Sequence, residues 1–436
     1  MYKLHTGDNM FDLTTKILDV LCPNWKDKLI GVTTDGASNM TGYHIGMVTQ
    51  IQQVAKPGFY CIWCAAHQLD LIVQDRFKSM FDETFVHVIQ GITGYLRRQK
   101  NLIQKMKATC PCLIDSRWLS MGRLLDWLID KCQDIQGHFC EQNPPCRLPG
   151  EWWIEVYALA NIVETINITF RALQGKQLLL NVQKQHLEKL QQELMQIVGL
   201  STGGVELQDI PGVFQLECSQ VSMASVESFL LNLGSTYVIE LTNAYKASNG
   251  AHYNMLLERI AKLFLHLVHR IYVLEPQRNE NNTARVGSCP AAMPFLLAEA
   301  GAFMFSSIIM EQRDCLAMSF TEKEIDSIEV QFKVFLRKYH NDEVFKGLIE
   351  NTSKCETFAA VWSWLYKEYS LLVTFAGGLA TTFPGTSTVE SDFSVLGWEK
   401  DEYRTTLSDL SLEGILQAKQ ATELKKINVL LNMLKT

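Results

Sequence analysis

The sequence predicts a mostly helical α+β protein. Two short β-branched or aromatic runs alternate with helix-like segments in the first hundred residues, and the rest is patterned almost wholly at helical spacing. Composition agrees with a globular chain: of 436 residues, 47% are hydrophobic and 20% charged. A chain of that length buries a large core without disulfide or metal staples.

The elements follow in order. Ile17, Leu18 and Leu21 share one face at helical spacing within Asp12 to Leu21, and Pro23 stops that helix. Lys28 to Thr34 is a short apolar run with strand character, leading directly into the turn-rich Asp35-Gly36-Ala37-Ser38-Asn39-Met40. A helix is expected from Gly46 to Val54, and Phe59 to Trp63 reads as a second strand. One long helical stretch is expected from Ala66 to Lys107, carrying the basic side chains Arg97, Arg98, Lys100, Lys105 and Lys107. A solvated helix face explains that basic run as well as a nucleic-acid contact does.

Loops are expected at Glu141 to Gly150, Ser201 to Gly212 and Pro276 to Pro290. Leu180, Leu187, Leu190, Leu194 and Ile197 form a short heptad-like series that Gln183 breaks. It is too short for a coiled coil and fits an amphipathic helix packed among others. Ala291 to Met310 meets a crude length test for a membrane span, but Pro294 and Glu299 interrupt it. A buried core helix is the expected form, because a carboxylate is costly in lipid.

Charge limits the function classes. A net charge of -7 is not the footprint of a protein whose whole surface binds nucleic acid, so any DNA contact is expected from local patches or from a basic segment outside this sequence. The 12 cysteines are irregularly spread and no signal peptide is recognisable, so the thiols are expected to be reduced, in cytosol or nucleus.

Four segments could carry chemistry. Asp35 stands at the end of the first strand with glycine behind it, where a carboxylate is held rigidly yet open to a hard cation such as Mg²⁺. Strand-end Asp-Gly pairs are more often plain turns. Cys61, Cys64 and His67 make a C-x-x-C-x-x-H run, with Cys110 and Cys112 beyond it. A zinc site would need a second ligand pair of standard spacing, so buried thiols beside a polar helix start explain it better. In Asp115-Ser116-Arg117-Trp118-Leu119-Ser120, Arg117 could bind phosphate while Trp118 stacks on an unpaired base. A capped helix with a core tryptophan is the simpler account. Last, Thr386 to Gly397 contains Glu390 at a polar helix start, with Tyr403 to Ser408 and an apolar helix from Leu412 to Lys419 behind it.

Taken in order, TTDGASNM after a strand, CAAHQLDL, DSRW, a long helical region, STVESDFSVLG and YRTTLS resemble the hAT superfamily of DNA transposases. The resemblance runs from about Asp12 to Gln420 and is most specific at its two ends and in CAAHQLDL. It implies an RNase H-like catalytic core interrupted by a large all-helical insertion domain. The expected division is residues 1–135 as a partial core lacking its first strands, 136–350 as the insertion, and 351–436 as the return to the core with a dimerisation region. In the family, an Asp-Asp-Glu triad holds two Mg²⁺ or Mn²⁺ ions for in-line displacement at phosphorus. Asp35 matches the second Asp and Glu390 the Glu, and an insertion between them accounts for their distance in sequence. Cys64 and His67 match the pair near the transposon end, and Trp118, beside Arg117, matches the tryptophan that stacks on a flipped base.

The resemblance has two gaps. The first catalytic Asp belongs on a strand upstream of the helix near Asp12, and the amino-terminal zinc finger is also unmatched; Asp8, Asp12 and Asp19 lie in or beside a helix. The expectation is therefore a transposase-derived, catalytically incomplete nuclear protein with residual DNA binding, homo-oligomerisation through its carboxy-terminal region and no membrane contact. A fragment of an active cut-and-paste transposase and a non-enzymatic interaction module are the alternatives.

Overall fold

The computed structural model describes residues 6–56, 59–80, 82–112, 118–146, 148, 150–175, 178–199, 221–273, 291–352, 358–382 and 385–386, with isolated helical positions between 411 and 425. The protein is a mostly helical α+β chain that divides into two compact units. The first comprises Met1–Cys64, Gln174–Asn181 and Gln277–Thr436; the second comprises Ala65–Leu173 and Val182–Pro276.

The first unit opens with α1 (Gly7–Leu21), whose amino end is capped by the Thr6 side chain accepting from the Asn9 N–H at 3.4 Å. There follow α2 (Trp25–Lys28), β1 (Gly31–Thr34), the single turn α3 (Ser38–Thr41), α4 (Met47–Val54) and β2 (Tyr60–Trp63). The strands pair in parallel, Gly31 opposite Tyr60 through Thr34 opposite Trp63. Parallel pairing requires a crossover, and α3 with α4 supplies it.

Strand periodicity then sorts the side chains into two cores. Met10, Phe11, Leu18, Val32 and Cys61 pack with Trp25, Met47, Ile51 and Phe59. On the other side, Tyr60 and Ile62 join a larger cluster built by the late helices. The α1 face expected from Ile17, Leu18 and Leu21 is split: Leu18 packs inward, while Ile17 and Leu21 are 49% and 46% exposed. The reason is α4, which lies against the Met10–Phe11 side and so rotates the buried stripe of α1 away from Ile17.

The second unit is all-helical among its described residues. It contains α5 (Ala65–Met80), α6 (Asp82–Leu96), α7 (Lys100–Met106), α8 (Trp118–Asp130), α9 (Cys132–Gln142), α10 (Gly150–Leu173), most of α11 (Leu180–Ile197), α12 (Met223–Leu231), α13 (Thr236–Ser248) and α14 (Gly250–Val273). Helix α10 is its hub. Trp152, Trp153, Ile154, Val156, Tyr157, Leu159, Ile162 and Val163 bury almost its whole circumference against α8, α13 and α5, the mark of a central helix. The series in α11 packs as an amphipathic helix: Leu187, Leu190 and Leu194 are buried, and Gln191 donates to the Val268 carbonyl at 3.3 Å.

The helix expected from Ala66 to Lys107 does not run unbroken. Between α6 and α7 the chain turns at Arg97–Gln99, and the Arg97 guanidinium donates to the Cys110 carbonyl at 2.8 Å. The basic run therefore does not form one continuous helical face, because the chain turns within it and the exposed Arg97 satisfies a backbone acceptor there.

The first unit resumes with α15 (Pro294–Glu311), α16 (Arg313–Leu316), α17 (Glu322–Asn341), α18 (Glu343–Asn351), α19 (Phe358–Trp362) and α20 (Ser370–Ala380). Helix α15 is the one described helix long and apolar enough to cross a membrane by length and composition. It is broken at Gly301 (φ 73°), a left-handed conformation that favours glycine. Leu297, Phe305 and Ile309 on it are buried against α17 and α20. It is not buried throughout, since Phe303 is 88% exposed. Thr321 and Glu324 form a reciprocal capping box that starts α17. The expected loops at Ser201–Gly212 and Pro276–Pro290 lie outside the described residues, as do Tyr403–Ser408 and most of the helix expected from Leu412.

Candidate functional site

Parallel pairing sends the carboxyl ends of β1 and β2 to the same edge. The Cys64 N–H extends the ladder by donating to the Thr34 carbonyl at 2.8 Å, so Asp35 and Cys64 leave the sheet side by side. Asp35 is exposed, and its Oδ1 accepts from the Ala37 N–H at 2.9 Å. That bond is the side-chain turn typical of aspartate at a strand end. The Thr34 hydroxyl accepts from the Gly36 N–H at 3.3 Å, and the Thr41 hydroxyl donates to the Gly36 carbonyl at 3.1 Å. These contacts fix the turn and leave Asp35 Oδ2 open.

Gly36 is obligatory here for two reasons. Its φ is +80°, and a Cβ built on it would stand 2.6 Å from the Trp63 indole. The Asp35-Gly36 turn therefore lies directly on the last side chain of β2. Sequence reading missed this role for Trp63. The aromatic at the end of the strand-like run was visible, but only the β1–β2 register decides what lies above it.

The late chain runs along the pair from the start of β1 to this edge. Thr382 abuts Gly31 at the start of β1, since a Cβ at Gly31 would lie 2.6 Å from the Thr382 side chain. Thr386 reaches past the end of β2, where its N–H donates to Cys64 Sγ at 3.4 Å. Cys64 is buried, so this thiol is a structural acceptor that pins residue 386 across a separation of 322 positions. The sequence singled out the segment that begins at Thr386, but nothing in it pointed to Cys64 as the partner.

The other expected site residues divide plainly. His67 lies in the first turn of α5 and is half-buried. Trp118 begins α8. Arg117 and Glu390 lie outside the described residues, as do Asp115 and Ser116.

The cysteine run has a definite chemistry. Cys61 Sγ accepts from Gln52 Nε2 at 3.4 Å, and burial pushes its thiol up to about 11. Cys110 is likewise pushed up to about 11 by burial. Both remain thiols at neutral pH, the opposite of the lowered pKa that marks a reactive thiolate. Among the described residues, no three His, Cys, Asp or Glu side chains converge to hold a metal. Asp35 supplies one hard oxygen ligand at the strand edge, and Glu390, the other expected ligand, lies outside the described residues. No family model matches this chain.

Proposed function

We propose that this chain is a hAT-transposase-derived protein that keeps DNA-binding and self-association surfaces on an RNase H-like core. One observation carries the reading. The Thr386 N–H bond to Cys64 returns the chain, four residues ahead of Glu390, to the edge where Asp35 opens to solvent. Two carboxylates remote in sequence could meet only through such a return, and the resemblance pairs these two. The division into units bears on it as well: in sequence, the second unit, helical in its described residues, lies between the β1–β2 pair and the late helices that complete its core, although it runs from Ala65 to Pro276 rather than over the expected 136–350.

None of the 436 residues matches the first acid of the family's triad. Catalysis by positioned metal ions depends on geometry held by all the ligands. These 436 residues by themselves are expected to bind duplex DNA in the nucleus without cutting it, and to form homo-oligomers through their carboxy-terminal region.

The test is a salt series of DNA binding, together with strand cleavage and strand transfer in Mg²⁺ and Mn²⁺. Binding that weakens steeply with salt, with no cleavage, supports the proposal. Absence of salt-dependent binding overturns it in favour of a protein-interaction module. Robust cleavage abolished by Asp35→Asn overturns the incomplete-enzyme part.

A further inference from the structure

At the opposite end of the β1–β2 pair from Asp35, the first unit holds a half-open cavity of about 270 Å³. Its walls come from the start of the sheet (Phe59, Tyr60), from the α15–α16 region (Ile308, Leu316) and from α20 (Phe375, Leu379). The lining is mostly apolar and partly aromatic, with Ser319 and Thr374 also on it, the common character of a small-molecule site.

One wall residue is out of place. Gln312 is 6% exposed and lines the cavity. Its backbone is satisfied: the N–H donates to the Ile308 carbonyl, and its own carbonyl accepts from the Leu316 N–H. Its side-chain amide hydrogen-bonds to no described residue. That amide faces the cavity, where it is left to water, and a ligand carrying a hydrogen-bonding group would take the water's place.

Size and charge narrow the ligand. A cavity of about 150 Å³ lined by aliphatic and aromatic groups accommodates benzene, so about 270 Å³ suits two fused rings. The charged residues on the lining are Asp27 and Lys56, both well exposed, and they neutralise each other as an ion pair at 3.5 Å. Nothing on the wall therefore calls for a charged ligand.

We infer that this cavity binds an uncharged, two-ring aromatic molecule carrying one hydrogen-bonding group directed to the Gln312 amide. The site is separate from the proposed DNA-binding edge and does not depend on it.

The probes are 2-naphthol and naphthalene, titrated against the full chain and followed by protein-detected spectral shifts. Both should bind saturably, with 2-naphthol tighter by about fivefold, the effect of one net hydrogen bond. Gln312→Leu should abolish that preference while naphthalene still binds, which also shows that the variant is folded. Gly378→Leu, on a wall glycine whose Cβ would meet Ile30 at 3.5 Å, should fill the space and remove both ligands. Circular dichroism must show its helix content unchanged. No saturable binding by the parent chain, or a preference for 2-naphthol that survives Gln312→Leu, would overturn the assignment.

Discussion

Gly36→Ala is the sharpest probe of the strand edge. Two costs add. A residue with a Cβ in the left-handed region is destabilised by about 1–2 kcal/mol. The new Cβ would also stand 2.6 Å from the Trp63 indole, and moving a packed ring of that size costs about 1–3 kcal/mol. Against these, alanine narrows the unfolded ensemble and returns about 0.4–1 kcal/mol. The net expectation is a loss of about 2–4 kcal/mol, local to the β1–β2 pair. A two-unit chain need not unfold in one step, so the assay is native-state hydrogen exchange on peptides spanning residues 30–41 and 59–64. The control is the same substitution in a Trp63→Leu background. With the indole gone, only the backbone strain remains, and the cost should fall to about 1 kcal/mol. Equal costs in the two backgrounds would refute the contact, because non-interacting positions add.

Three further outcomes follow from the packing and the ionisable groups. Phe305 is 1% exposed and stacks on Phe332 with ring centroids 3.9 Å apart; Phe305→Ala should cost about 3–5 kcal/mol, read as lost exchange protection in α15 and α17. Site-resolved alkylation at pH 8 should modify the exposed Cys112 and Cys140 quickly. It should leave Cys61, Cys110 and Cys132 slow, since burial pushes those thiols up to about 11, about 11 and about 12; equal rates would contradict the burial. The Lys246 and Tyr253 hydrogen bonds hold the Glu227 carboxyl below its ordinary 4.5. A lowered folded-state pKa means stability that is fully present above about 4.5 and lost as pH falls through the lower folded value. Glu227→Gln should therefore lose stability relative to the parent above pH 4.5 and converge with it in acid, and a constant difference down to pH 2 would refute the pairing.

Much of the site's local chemistry could be read from the sequence. Asp35 at a strand end followed by a glycine turn is a matter of residue type and spacing, and β1 begins and ends near where the β-branched run does. The amphipathic α11 was equally readable, because its leucines recur at helical period whatever they pack against. Helix continuity was less so. Apolar spacing carried the Ala66–Lys107 stretch without a break, yet Arg97 finds its acceptor at Cys110, and the chain turns just beyond Arg97.

By itself, the sequence determined the fold class, the Asp35-Gly36 turn and the order of the motifs, since each is set by local propensity and period. Only the tertiary structure decided which face of α1 is buried, that Trp63 lies on Gly36, and that Thr386 is held at Cys64. Those depend on strand register and on contacts hundreds of residues apart, and no local pattern encodes which distant partner a hydrogen-bonding group will meet. The Gln312 cavity belongs to the same class: its walls come from segments far apart in the chain, and an amide without a partner is defined only once everything around it is in place.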